Sequence, residues 1–403
     1  MAVVHVHDVV VVGAGPGGSA AAHFLSTRGL DVLLLDRAAF PRDKTCGDGL
    51  TPRALRVLEK MNLLGEVRAQ GCPIQAYEVV APNGRSTSAP IVGRHQAMVV
   101  PRLTLDNIIL QRAIASGARF ASDKIVSRLE PTDTGARVRT ADGQRFEGRV
   151  AIVATGAATG VLVRSGILPK QPRAMLAARA YFENLHARTQ QAFQLRFDGV
   201  PAPGYGWVFP TSERTANVGV GFFPRRGSGT AVAAFQRFVN RQPELRAARQ
   251  VGPVKGYPIR VDFLRAPTTA TSTLLVGEAA GLVNPLTGEG IDYALESGQI
   301  AAEHVVRGLA SGVHQTWLSD YDRLLRERFE KIFRFSEWIR DWYCKPALLN
   351  LLVPLANHRP ELRQLLASIV LGEREPRGYG PATMAARLVA YLVTHPQGAR
   401  ASN

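Results

Sequence analysis

Apolar residues arrive in short runs separated by glycine-rich turns and amphipathic stretches, the pattern of a chain that alternates buried strands with packed helices. Residues 9–12 are four consecutive valines, as expected of a parallel strand buried on both faces. They lead into Gly13-x-Gly15-Pro16-Gly17-Gly18, an alanine-rich helix, and a second apolar strand that closes at Asp36. Residues 274–276 form another such run, followed by a small-residue turn, a loop rich in proline and glycine, and a helix expected to start near Glu289 or Gly290. Tyr205, Trp207 and Phe209 alternate with smaller residues, so a strand there carries three rings on one face. Residues 315–343 read as an amphipathic helix with Trp317, Phe329, Phe333, Phe335, Trp338, Trp342 and Tyr343. Two apolar segments follow: residues 345–358, expected to break at Pro354, and residues 380–395.

Composition narrows the class. A chain of 403 residues, 46% hydrophobic and 20% charged, is that of a soluble globular protein with a sizeable core in two joined domains. No run of about 20 apolar residues occurs, and the N-terminal apolar run has no basic stretch before it, so neither a transmembrane helix nor a signal peptide is expected. The three cysteines are too few and scattered for a disulfide framework or a zinc site, and the histidines show no metal-ligand spacing. The expectation is a cytoplasmic protein without a metal. A net charge of +16 attracts polyanions, but no Lys/Arg block interleaved with aromatics appears. That argues against nucleic acid and for an anionic membrane surface or a diphosphate.

The first glycine cluster carries chemistry. Gly13 permits the turn, Gly15 lets a pyrophosphate approach the backbone, and Gly18 lets the helix pack on the strand. The helix start at Pro16 and Gly17 offers free N–H groups and a positive dipole end to phosphates. Asp36, with Arg37 beside it, ends the second strand where a carboxylate accepts hydrogen bonds from ribose hydroxyls. Strand, helix, strand and acid in register predict a bound dinucleotide.

The second glycine cluster resembles the distal flavin-binding motif of FAD-dependent enzymes of the glutathione-reductase or hydroxylase type. The resemblance implies FAD, with the acid after Gly277 on the ribityl chain. Pro285, Gly288, Gly290 and Ile291 would place a helix N-terminus against the flavin ring. Glu278 stands where that family has aspartate. Arg102 resembles the family's arginine beside the flavin diphosphate and ribityl region, and Gly156 its strand end returning to the cofactor; Thr155–Gly156 replaces the Asp-Gly of aromatic hydroxylases. Only one dinucleotide fingerprint is present, so electrons are expected from transiently docked NADPH or from a protein such as a ferredoxin.

Two further stretches make the resemblance specific. They are "FPRDKTCGDGLTPRAL", residues 40–55, and the run Tyr205-x-Trp207-x-Phe209-Pro210, eight residues, then Gly219-x-Gly221. With these the chain resembles the geranylgeranyl reductase family, and the first stretch is closest to bacterial members of the menaquinone-reductase kind. The resemblance implies an α/β fold in which a Rossmann-like FAD domain spans residues 1–75, 95–165 and 270–310. An antiparallel-sheet substrate domain takes residues 76–94 and 166–269, and a helical region residues 311–403. The implied activity is saturation of C=C bonds in an isoprenoid chain, a geranylgeranyl group or a menaquinone tail.

The resemblance implies that Cys46, with Gly47, lies beside the flavin and is the leading proton donor, with Tyr205 or a bound water as its rival. The resemblance makes Asp48, Tyr205, Trp207, Phe209, Pro210, Gly219 and Gly221 the expected substrate residues, Asp48 alternatively tuning the flavin. The glycines at 204, 206, 219 and 221 are expected to leave the opposite strand face open. The C-terminal helices are expected to cover the isoprenoid tunnel, lie on the inner face of the cell membrane, or pack ordinarily. The competing readings are an FAD-dependent monooxygenase for an apolar or aromatic substrate, and a non-catalytic flavin or isoprenoid binder.

Overall fold

The computed structural model describes residues 5–91, 96–185, 192–311, 317–342, 344–360, 362–364 and 366. The valine run lies in β1 (Val6–Val12), followed by α1 (Pro16–Ser26) and β2 (Val32–Leu35). β1 is central in a parallel sheet: it pairs with β2 on one side and Arg145–Val153 on the other, and Arg119–Ala121 and Thr273–Leu275 extend the flanks. An antiparallel edge strand and the hairpin Val126–Thr132/Gly135–Thr140 bring this sheet to eight strands. Val9, Val10 and Val11 are wholly buried, sharing a core with Ala21, Ala22 and Leu25 of α1 and with Ala301, Ala302 and Val305 of the helix Ile291–Ser311.

A second sheet of seven strands runs in the order Arg249–Arg260, Ala174–Glu183, Thr215–Phe222, Gly204–Pro210, Ala192–Arg196, Ala76–Val80, Ser86–Pro90. It is antiparallel except where Ala192–Arg196 joins Ala76–Val80. The helix Ala231–Arg241 covers one face, packing Phe235 and Phe238 on Val208, Val218 and Val220. The other face looks across a cavity to the first sheet. A small third sheet (Gly49–Leu50, Ala97–Val99, Cys72–Ile74) follows the loop of residues 46–49. The architecture is the expected FAD-binding α/β fold with an antiparallel sheet and a helical C-terminal region.

The helix Trp317–Trp342 buries Tyr321, Leu325, Phe329 and Phe333 in the core of the first sheet. The expected break at Pro354 does not occur: the helix Pro346–Asn357 runs through it. The missing N–H removes one bond near the helix end, and Val353 offsets the loss by packing on Val79, Ala81 and Phe197. Among the described residues no helix is long and apolar enough to cross a membrane. Tyr343, His95 and residues 380–395 lie outside the described residues.

Candidate active site

The first wall of the cavity is the glycine turn. Gly13 has φ 104°, and a Cβ there would stand 2.5 Å from the Ala154 carbonyl oxygen; a Cβ on Gly18 would stand 1.8 Å from that of Gly13. Only glycine fits this crossing of strand and helix. Gly15 caps α1, and a Cβ on it would meet only the Arg42 guanidinium, at 3.6 Å, so its side toward the cavity is open. Asp36 accepts from the backbone N–H of Ala14 (2.6 Å) and of Ala38 (2.9 Å), which fixes the carboxylate at the end of β2.

The second wall comes from the distal motif. Gly277 (φ 57°) and Gly288 (φ 68°) turn the chain ahead of the helix that begins at Ile291. The longer Glu278 is held at both oxygens: Oε1 accepts from the backbone N–H of Arg260 (3.0 Å) and Oε2 pairs with Lys44 (3.2 Å). The extra methylene therefore lets one acid bridge the distal motif, the sheet edge and the Cys46 loop. The Thr155 hydroxyl on the same wall is buried without a partner.

Arg102 is buried and forks onto Asp106, with both contacts at 2.6 Å, while Arg42 reaches the same carboxylate at 2.8 Å. Two guanidiniums on one carboxylate leave a net positive charge in the wall. Burial works against the Arg102 charge, but Asp106 and the adjoining Cys46 side chain hold its pKa above the ordinary arginine value. Open glycine backbone at a helix start, an unpartnered hydroxyl and surplus buried positive charge together fit a dinucleotide diphosphate.

The third wall is aromatic. Trp207 and Phe209 stand 6.3 Å apart between centroids, Tyr205 and Trp207 also 6.3 Å, and Phe193 continues the row 4.6 Å from Phe209. Met175, Ala177, Leu195, Tyr257 and Ile259 complete an apolar slot. The Tyr205 hydroxyl donates to the Thr287 carbonyl, tying the wall to the distal loop. Desolvation pushes its pKa well above the ordinary phenol range.

The glycines do not leave the opposite face open. Gly221 pairs with Tyr205 and Gly219 with Trp207 across the hairpin, and directly opposed residues share a face. A Cβ at Gly219 would lie 2.1 Å from the Trp207 indole, so the glycine is the bed on which the ring lies. Gly206 faces the far side, where a Cβ would stand 2.4 Å from the Phe238 ring that fills the space.

The Cys46 loop lies flat on these rings. A Cβ on Gly47 would meet Phe209 at 3.2 Å and the Trp207 Nε1 at 3.5 Å. Asp48 is turned away from the cavity with φ 63° and no exposed surface. Its Oδ2 accepts from the Tyr181 hydroxyl (2.6 Å) and Asn217 Nδ2 (2.7 Å), and burial raises its pKa to about 6.

One cavity of about 780 Å³ gathers Gly13, Gly15, Pro16, Gly17, Asp36, Arg37, Cys46, Gly47, Arg102, Gly156, Gly277, Glu278, Gly288, Gly290 and Ile291 with the rings of Tyr205, Trp207 and Phe209. Six predicted residues lie off its wall: Gly18, Asp48, Pro210, Gly219, Gly221 and Pro285. Gly18 and Gly219 act instead by close packing, and Asp48 by bonds behind the loop. Sequence reasoning missed Arg42, Lys44, Asp106, Tyr181 and Asn217. Arg42 and Lys44 were legible as the cations of the "PRDKTCG" run, and Asn217 as the lone amide of the strand Thr215–Phe222.

The reading that no histidines have ligand spacing needs correction. His5, just before β1, and His7 within it reach Asp31 at 2.7 and 3.0 Å, with Arg119 Nη2 among them at 2.6–3.1 Å. The point where the ligand atoms converge already holds a cation.

The match to known proteins spans this geometry. A family model described as FAD binding domain matches residues 6–335. The chain is 35% identical over 315 residues to a protein named menaquinone reductase from Mycobacterium tuberculosis, covering 73% of this chain and 76% of that one. It is 30% identical over 337 residues to digeranylgeranylglycerophospholipid reductase 1 of Methanothermobacter thermautotrophicus, covering 79% and 82%. Among solved structures, a geranylgeranyl bacteriochlorophyll reductase-like protein from Thermoplasma acidophilum superposes with a TM-score of 0.77 at 22% identity, covering 91% of this chain and 100% of that one. The flavin-dependent brominase Bmp2 shares the fold at a TM-score of 0.75 and 18% identity, covering 97% and 100%. With a dinucleotide cradle and an aromatic slot meeting in one cavity, the chain belongs to the FAD-binding geranylgeranyl reductase family of oxidoreductases.

Proposed function

We propose that this protein saturates carbon–carbon double bonds of an isoprenoid chain, with a menaquinone tail as the first substrate to test and a geranylgeranyl group as the second. The observation that carries the reading is the slot of Tyr205, Trp207, Phe209, Phe193, Leu195 and Met175 opening into the same cavity as the glycine cradle. An isoprenoid offers no polar handle, so it is held by buried area, roughly 25 cal/mol per Å² of apolar surface. The higher identity to relatives named menaquinone reductase sets the order of the two substrates.

When bound and reduced, FAD supplies a hydride equivalent from N5. Gly13, Gly15, Pro16, Gly17, Asp36, Arg37, Gly156, Gly277, Gly288, Gly290 and Ile291 would hold it, with Arg42 and Arg102 balancing its diphosphate. The rings lay the alkene flat and exclude water. Cys46 delivers the proton to the second alkene carbon: its S–H bond breaks as the C–H bond forms, and the thiolate is left beside the Arg102 guanidinium. Tyr205 is the weaker donor because its proton already points at the Thr287 carbonyl. The reductant is NADPH docking transiently or a ferredoxin-like protein. The setting is the cytoplasmic side of the cell membrane, touched peripherally.

The test is anaerobic. The flavin-loaded protein is reduced with dithionite, and geranylgeranyl diphosphate and a short-chain menaquinone are added separately. After the quinol ring is reoxidised in air, mass spectrometry should find gains of two hydrogens per reduced bond located in the prenyl chain, absent without the protein. No hydrogen gain, but an added oxygen atom once NADPH and air are supplied, would replace the reading by a monooxygenase.

A further inference from the structure

We propose that Asn217 is a positioning residue, a buried latch that holds the Cys46 loop in register with the aromatic wall. This rests on the reading of Cys46 and Trp207 as parts of the active site. Asn217 has no exposed surface, and both N–H bonds of its amide nitrogen are used. Its Oδ1 accepts from Trp207 Nε1 (2.9 Å), and its Nδ2 donates to the Cys46 carbonyl (2.7 Å) and to Asp48 Oδ2 (2.7 Å). One side chain thus ties the main chain of the proposed proton donor to the ring of the proposed substrate wall.

Its place in the sheet makes the tie rigid. Phe209, Asn217 and Tyr181 are cross-strand neighbours in successive strands, so they form one row on the cavity-side face. Asp48 closes the row from the loop side by accepting from both Asn217 and Tyr181. Among the described residues the loop is also held by the contact of the Cys46 side chain with Arg102. Asp48 donates its N–H toward Cys46 Sγ (3.4 Å) and its carbonyl accepts from the Val100 N–H (2.9 Å), while Gly47 offers no side chain. A buried amide costs stability unless its bonds are made, and an apolar residue would suit this packing. The amide is therefore explained by what it bonds. Rotation of the Cys46 carbonyl away from Asn217 would carry the thiol with it.

The experiment uses N217L, which keeps the branched heavy-atom shape, is somewhat larger, and removes all three bonds. Cys46 is followed by the rate of iodoacetamide labelling of the tryptic peptide holding residues 45–53, with labelling of Cys72 in the same sample as the folding control. The expected result is Cys46 labelling several-fold faster with Cys72 unchanged, and kcat about tenfold lower with KM within about threefold. Labelling and kcat both within about twofold of the wild type would overturn the latch. Faster labelling without a fall in kcat would overturn its positioning role. Should N217L fail to retain flavin, N217S, smaller and still polar, carries the same measurements. If the wild type itself shows no prenyl reduction, the proposed function fails, and the labelling contrast still decides the latch.

Discussion

At the scale of single residues, Asp48 shows how burial turns a carboxylate from a contact into a pH-dependent load. Its Oδ1 is buried without a partner, and burial outweighs the bonds from Tyr181 and Asn217, leaving a pKa of about 6 against 3.8 for the free group. The native state therefore binds more protons than the unfolded chain between about pH 4 and 6, and stability falls as pH rises through that window. At about 1.36 kcal/mol per unit the load reaches, at most, on the order of 3 kcal/mol above pH 6. D48N keeps an acceptor for Tyr181 and Asn217 and carries no charge. The stability of D48N relative to the wild type should rise between pH 4 and 7, read by urea denaturation at several pH values. A parallel pair of curves would remove Asp48 from this role.

Among the elements, the contact that sets the cradle is the crossing of α1 with the helix Ile291–Ser311. A Cβ on Gly298 would lie 2.3 Å from the Gly17 carbonyl oxygen, a backbone atom with no room to yield. G298A should therefore push α1 and its phosphate-facing N-terminus out of place. A loss of about 1–3 kcal/mol or more is expected, together with a fall in bound flavin, although Gly298 is absent from the cavity wall. Thermal melting and the flavin absorbance of the purified protein check this, and normal flavin content with a normal melt would show that the helices can part. The same level explains the glycine-alternating strand. Gly219 seats the Trp207 ring that faces it and Gly221 leaves room for Met175, a cross-strand relation invisible in either strand alone.

For the whole molecule, charge and the C-terminal helices set the outward behaviour. The chain carries +16, and Trp342 is 59% exposed beside Lys345, whose ammonium stands 5.1 Å from the indole centroid. Leu351 is exposed on the next helix. A ring and a cation side by side suit the boundary of an anionic bilayer. The protein should sediment with vesicles containing anionic lipid, less so at high salt, and W342A should weaken binding at constant salt without changing the melt. Equal sedimentation of W342A and wild type would separate this surface from any membrane contact.

Much of this molecule was written in local patterns. The valine run, the G-x-G-x-x-G turn, Asp36 and the aromatic alternation depend on strand period, backbone freedom and side-chain chemistry, which a sequence states residue by residue. The FAD fold followed from them, and most of the residues they single out line the cavity. The sequence by itself did not determine what those residues touch. That Gly219 seats an indole, that Pro354 rides inside a helix, that Glu278 finds Lys44, and that Asp48 turns its back on the cavity are outcomes of sheet register and of packing between segments far apart in the chain. Asn217 is the clearest case: alone it is one amide in a strand, and only the pairing of three strands with the Cys46 loop gives its three bonds their partners.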